Sequence, residues 1–599
     1  MPGYAGQNVD VPSLRYTVTA NGKAVDDSLA ISFIKVAHEV NKISYAEITL
    51  SGPFASDGSS ISFSDTETFT PGNPIVISAA YGDDPEATLF TGVIVKHGLD
   101  MQSDSTINLK LLCKHAAVRM TFGRKEQLFG EQTDSDIISA VCSNYGLSVT
   151  VDSTTFKNEM FFQKLATDWD LVLSRAEFNG MLIFLDGDSP VIKVPDFSGA
   201  PVLLVAPGGG LLSFQSELNA EKQAPSVTAS GWDVKNLALQ SASAKEPSLS
   251  AQGAVTAKKL SEQLSQTALL LTAATPMATA ELQAWANNYL FRMRMAGLRG
   301  TATFIGSALV KTGSIIQMEG VGSKFNGNAF VTSVTHELED GLWKTTATFG
   351  MDSKPVSQQA DYSYFPATGQ IPGIQGLQVG TVKQLASDPQ SLYRILVTLP
   401  SNATTEGGVW ARYANFYGTA GAGLGFLPEV GDEVLVGFIE NDPRYPVILG
   451  SLYGSSKQSP NQASDEKNNL KMLSTRSQLK MQFDDENKVI TISTPGGNSI
   501  TISDTDKSIV IADQNSNSVK MSSSGIEITS NSDVSVTAKG GITLSANTSV
   551  SITAKQDVEA SGANVTCSAK MGFTAKGTAS AEVSASGQTT IKGAMVMIN

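Results

Sequence analysis

Residues 526–599, IEITSNSDVSVTAKGGITLSANTSVSITAKQDVEASGANVTCSAKMGFTAKGTASAEVSASGQTTIKGAMVMIN, decide the architecture, because here the chain repeats itself. Apolar or small residues come in pairs two apart: Ile526/Ile528, Val534/Val536, Ile542/Leu544, Val550/Ile552 and Val558/Ala560. Each pair follows the last by eight residues; after one seven-residue step the series resumes at Val565/Cys567 and runs through Phe573/Ala575, Ala581/Val583 and Thr589/Ile591. A spacing of two is the strand period, so both members of a pair face one side. The intervening Ser, Gly, Asn and Asp favour corners. Each octad therefore reads as one short strand and a turn, and a fixed repeat of this kind sets the fold before any single motif does.

One extended octad reaches only about 26 Å. That perimeter is too short for one chain to coil around a two-sided core, since stacked sheets lie about 10 Å apart. If three chains each supply one face, every layer closes. The expectation is an intertwined triple-stranded β-helix, a homotrimer whose axis is lined by Ile526, Ile528, Val534, Val536, Ile542, Leu544, Val550, Ile552 and Val558. Such closure also removes the free strand edges that template aggregation. The theme starts upstream, in VITIS, SITIS and SIVIA, so the needle is placed at 470–599. At about 4.8 Å per layer, roughly 14 octads give a rod on the order of 70 Å. Beyond Phe483 its one aromatic residue is Phe573, and from Leu470 onward 11 Lys and Arg balance 11 Asp and Glu. A disordered tail of the same composition would not need apolar pairs in register.

The whole chain, at 599 residues, is too long for one core. Its net charge of −14 lies upstream of the balanced rod, and an acidic chain without basic runs argues against nucleic acid as a partner. The opening MPGYAGQNVDVPSLRY lacks the basic and apolar regions of a signal peptide, and no run is long enough to span a bilayer. The three cysteines, Cys113, Cys142 and Cys567, make no disulfide framework. Synthesis in the cytoplasm is the expectation.

Residues 1–360 read as a β-rich domain with helices. Strand-like runs fill 11–115; TDSDIISAVCSNYG then reads as a helix capped by Thr133 and Asp136 and stopped by Gly146. ATDWDLVLSRAEFNG is a second helix from Thr167 to Gly180, and ATAELQAWANNYLFRMRMAG a third with Leu282, Trp285, Ala286, Tyr289 and Met293 on one face. The Ala/Ser-rich stretch 239–280 reads as an insertion or a loosely helical excursion. A linker at 361–376 leads to 377–454, where five strands with short turns suggest an OB-type barrel. A second linker, 455–469, precedes the needle. The fold class is thus mainly β with some α.

Four stretches carry a family resemblance. VGDEVLVGFIENDPRYPVILGSLYG (430–454) resembles the barrel ending of VgrG-type spike proteins, and ATDWDLVLSRAEFNG (166–180) a stretch of their hub. ITISTPGGNSITISD (490–504) and SNSVKMSSSGIEITS (516–530) resemble the opening of their needle, and IKGAMVMIN (591–599) its end. Asn441 departs from the pattern, standing where Gly is usual before Asp-Pro, and 239–280 has no counterpart. The resemblance implies a phage tail hub fused to a phage tail needle, the structural spike at the centre of a contractile injection baseplate. It implies a hub that adapts a threefold spike to a sixfold tube, a PAAR-type tip protein, inner tube and baseplate partners, effector cargo and a transient passage through a target membrane. The machine could be a type VI secretion system, an extracellular phage-tail-like particle or a phage tail; in the extracellular case the particle is released from the cell.

The closing residues Met595, Val596, Met597, Ile598 and Asn599 have almost no polar relief; in a trimer they would form an apolar disc that calls for a cap. Signals for chemistry are weak. His38, His97, His115 and His336 are scattered, with no HExxH and no paired ligand spacing. Asp168 and Asp170 flank Trp169 at a helix start, where the helix dipole favours acids. ISDTDKSIVIADQN lacks the Gly and Glu of a calcium loop, and PGGG at 207–210 lacks the Lys-Ser/Thr of a phosphate loop. No catalytic, cofactor or metal site is expected, and no enzyme activity. The competing reading, a trimeric tailspike or adhesin that binds or cleaves glycans, would want aromatic grooves and paired carboxylates on the shaft.

Overall fold

A computed structural model describes residues 3–4, 13–26, 28–52, 61, 63–101, 107–233, 236–264, 266–273, 277–355, 367, 371–400, 407–461 and 466–598. The chain forms two units, 1–450 and 451–599.

The first unit is built on antiparallel strands whose alternate residues are buried. Strand Ala30–Glu39 pairs with Tyr45–Ser51 on one side and with Gly327–Glu339 on the other. It thereby joins two cores, one around Ile34, Ile48, Phe90 and Leu109, the other around Phe304, Val331, Ala347 and Phe349. The three expected helices are present. In α1 (Asp134–Ser143) the Thr133 hydroxyl accepts from the Asp136 amide at 3.2 Å, and the Asp136 carboxylate accepts from the Thr133 amide at 3.1 Å. In α2 (Asp168–Phe178) Thr167 caps the Asp170 amide at 3.0 Å. Gly146 and Gly180 follow these helices at φ 69° and 72°, the left-handed region that ends a helix at little cost.

The stretch 239–280 is more ordered than its composition suggests. It contains a short helix, α3 (Ala257–Gln263), and two strands, Ala238–Ser243 and Leu269–Ala273, which flank Val227–Asp233 in a three-stranded sheet. The buried side of that sheet (Val227, Ala229, Ala242, Leu271) packs on Leu282, Ala286 and Leu290 of α4 (Thr279–Ala296). Small residues here are interior residues facing a helix, a role that carries no periodic signature. The opposite side of α4 sends Phe291 and Met295 into a further core with Ile315 and Phe330. Buried Arg292 reaches Glu177 of α2, and Arg294 pairs with Glu246 at 2.6 Å.

Strands Gln378–Gln384, Ile395–Thr398, Val409–Tyr413, Pro446–Ser451 and Glu433–Phe438 close into a barrel around Val382, Val397, Ala411, Val434, Val436 and Ile448. Asn441 sits at φ 58° in its last turn, and its carbonyl accepts from the Ile374 amide at 2.8 Å. Asn is the side chain that tolerates this left-handed conformation best, so it can stand where glycine is usual.

The second unit divides in two. From Leu470 to Thr529, seven five-residue strands form one antiparallel meander with short turns. From residue 530 to 598 no strand pairs within the chain. The backbone runs extended between bends at 531–532, 539–540, 547–548, 555–556, 562–563, 570–571, 578–579, 586–587 and 594–595. The bends repeat the sequence octads, seven-residue step included.

Candidate assembly surface

The meander is amphipathic because its register aligns like with like. Met481 faces Ile492, Ile492 faces Ile500, Ile500 faces Ile511, Ile511 faces Val519 and Val519 faces Ile528. A second column runs through Phe483, Ile490, Ile502, Ile509, Met521 and Ile526. Directly opposed residues in an antiparallel ladder share a face. The other face carries Gln482, Thr491, Thr501, Val510, Lys520 and Glu527 on the central positions. One side of this sheet is therefore a strip two apolar residues wide. Large side chains on it, among them Met481, Phe483, Ile502 and Ile509, stand exposed in the single chain. An apolar strip of this length on a sheet face marks an interaction surface.

The expected axial residues lie on the same theme. Ile526 and Ile528 belong to the last meander strand, Gly525–Thr529. Val534, Val536, Ile542, Leu544, Val550, Ile552 and Val558 follow in the extended part, all exposed, with Leu544 at 73% and Ile552 at 70%. Among the described residues 534–598 no backbone hydrogen bond is made within the chain. Amides and carbonyls left without a partner in the chain, beside exposed Val and Ile, are open to pairing with other strands. At the end, Met595, Val596, Met597 and Ile598 are exposed, Ile598 at 88%; Asn599 lies outside the described residues.

The residues inspected for chemistry hold structure. His38 Nε2 lies 2.8 Å from the Leu89 carbonyl, His97 bridges Ser64 and Phe69, and His115 Nδ1 accepts from the Ala117 amide at 3.1 Å. The indole of Trp343 donates to His336 Nδ1 at 3.2 Å, and burial pushes His336 down to about 3. Burial raises the Cys113 thiol to about 12 and Cys142 to about 11. Asp168 is pushed up by burial, but hydrogen bonds from Lys125, Gln163 and Tyr145 outweigh this and hold it below the usual carboxylate range. Asp170 accepts from the Thr167 hydroxyl at 2.6 Å. The two acids thus serve the start of α2. PGGG forms a turn in which Gly209 donates to the Ala206 carbonyl, and Asp504–Lys507 is the turn of a hairpin. Among the described residues no cluster of His, Cys, Asp and Glu could hold a metal ion. Nor is any described helix long and apolar enough to cross a membrane.

Residues 10–340, more than half of the chain, match the family model described as Alg8 N-terminal domain. The chain belongs to this family. Residues 378–453 of this family member, the closed barrel, match the type VI secretion system/phage-baseplate injector OB domain. Residues 489–552, the last five strands of the meander and the first octads, match the phage baseplate V C-terminal trimerisation domain. With these matches the chain is mainly β, with an OB barrel and a C-terminal β domain of the trimerisation type, which supports the resemblance to VgrG-type spikes. A 51-residue stretch is 45% identical to the type VI secretion system spike protein VgrG5 of Pseudomonas aeruginosa, covering 8% of this chain and 6% of that protein. Similar solved structures include the 43 kDa tail protein of prophage MuSo2 from Shewanella oneidensis (13% identity, 57% of this chain and 99% of that one, TM-score 0.44). Another is the lidded Francisella PdpA–VgrG complex (11% identity, 84% and 81%, TM-score 0.40).

Sequence reasoning missed a second exposed apolar surface, on the barrel: Leu377, Phe416, Tyr417, Phe426, Ile439 and Leu449. Its one sequence signal is the aromatic flanking of the Gly-rich turn in NFYGTAGAGLGF.

Proposed function

We propose that three copies of this chain assemble through their C-terminal units into the central spike of a contractile injection baseplate. The observation that carries this reading is the continuous two-residue-wide apolar strip of the meander, prolonged by octads that have no strand partner in their own chain. Closing three such strips on one axis buries Ile526, Ile528, Val534, Val536, Ile542, Leu544, Val550, Ile552 and Val558. At about 25 cal/mol per Å² of apolar area this yields a stiff rod whose side edges are used up.

The remaining parts take roles around that rod. Residues 1–360 form the hub, which adapts the threefold spike to a sixfold tube; 377–454 is a rigid collar, with linkers at 361–376 and 455–469. The exposed apolar residues Met595–Ile598 seat a conical cap of the PAAR type, and contraction drives cap, spike and any effector cargo through the target membrane. The work is mechanical, and no step requires a catalytic group. Support for the tip comes from four consecutive exposed apolar residues where the last bend falls.

A pull-down with a PAAR-repeat protein tests this. Full-length chain is expected to retain it, and a chain ending at Thr590 to lose it while remaining trimeric. Equal retention by both would overturn the assignment of the tip.

A further inference from the structure

The barrel buries one apolar core and leaves several large apolar side chains exposed outside. Phe416 is 96% exposed, with Tyr417 and Phe426 beside it in the loop that joins strands Val409–Tyr413 and Glu433–Phe438. This loop is ordered. Gly418 and Thr419 pair with Gly423 and Ala422, and the Leu424 amide donates to the Tyr417 carbonyl at 2.9 Å. Gly421 at φ 73° provides the turn that side chains resist. The result is a small hairpin that holds aromatic rings in water.

The same barrel carries a concavity. Leu377, Phe438, Ile439 and Leu449 line a groove of about 660 Å³. At its rim Glu440 forms an ion pair of 2.5 Å with Lys164, on strand Lys157–Ala166. The outer face of that strand, two residues back, presents Phe162 opposite Leu128, both exposed. Groove and ribbon are thus linked at this ion pair within the first unit.

We infer that the aromatic hairpin of each copy packs into the barrel groove of the next copy, so that three knob-and-groove contacts close a ring around the collar. The inference rests on the three-copy reading. A second copy is favoured over a foreign partner by continuity with the trimerisation region. The barrel match ends at 453 and the trimerisation match begins at 489, so trimerisation holds three barrels together at an effective concentration on the order of millimolar. Knob and groove are different surfaces of one chain, and a heterologous pair of that kind closes under threefold symmetry. A preformed hairpin also has little ordering entropy to lose on docking.

The test is a double-cysteine chain, Phe416→Cys with Leu449→Cys, in a Cys567→Ser background, treated with a short bismaleimide. Its mass is measured before treatment. The expected result is a native trimer that becomes covalent dimers and trimers on denaturing gels, while neither single-cysteine chain does. A trimer that gives no cross-link, or only links within one chain, would overturn the knob-and-groove contact and leave the trimeric spike standing; a groove occupied by another protein would give that result. A monomer before treatment, in both this chain and its Cys567→Ser parent, would overturn the three-copy reading and the contact with it.

Discussion

Ile492 stands directly opposite Ile500 in the meander ladder, and both remain exposed, at 44% and 39%. Two large β-branched side chains aligned on one face, each with aligned neighbours above and below, form a strip that nothing in the same chain covers.

Replacing Ile500 by Asp is therefore expected to abolish trimers at micromolar concentration. Burying an isoleucine is worth about 1.5–3 kcal/mol, the trimer would contain three such sites, and a buried unpaired carboxylate adds several kcal/mol more. Thr501→Ala, on the polar face, is expected to stay within about 0.5 kcal/mol of the parent in chemical denaturation. Native mass of the two variants checks the contrast. Equal behaviour would place the interface elsewhere.

Cys567 gives a reporter already in the chain. Cys113 and Cys142 are buried in the first unit, whereas Cys567 is exposed in the single chain and forms an octad pair with Val565. In a closed rod it faces the axis. Maleimide labelling of native protein is then expected to leave Cys567 unmodified over a time in which denatured protein labels fully. Rapid labelling of the native chain would mean that this octad is open to solvent.

The first unit has its own pH dependence. Trp343 donates to Nδ1 of His336, which favours the neutral ring, and burial holds the group at about 3 against an unfolded value of about 6.5. The unfolded chain binds the proton first as pH falls. Stability from this site is complete above about pH 6.5 and declines towards about 3, by up to about 1.4 kcal/mol per pH unit. Denaturation followed by tryptophan fluorescence between pH 7 and pH 4 is expected to show this slope, flattened in His336→Asn.

Thr133→Ala removes the hydroxyl that caps α1 and is expected to cost about 1 kcal/mol in denaturation of the first unit. Trimer mass should not change, because the cap lies in the first unit and the apolar strip in the second. Dissociation on this substitution would show that the two units are not energetically separate.

What could be read from the chain followed from periodicity. The apolar pairs and even the seven-residue step reappear as bends, because a strand-and-corner repeat is a local pattern. The helix starts at Thr133 and Thr167 and the five barrel strands were legible for the same reason. Three things were not. Residues 470–529 pair strand to strand within one chain, since turns such as Asp504–Lys507 can join neighbours, and apolar alternation does not say whose strand lies alongside. The sheet in 227–273 depends on contacts with α4 that are distant in sequence, and its Ala and Ser interior looks like a linker. The barrel surface around Phe416 escaped notice because a lone aromatic beside glycines is an ordinary turn until its exposure is known.

Light scattering on the full-length chain tests the central claim most directly. A native mass three times the 63.0 kDa of one chain is expected, with dissociation when the chain ends before Leu470. A stable full-length species of 63.0 kDa would contradict it.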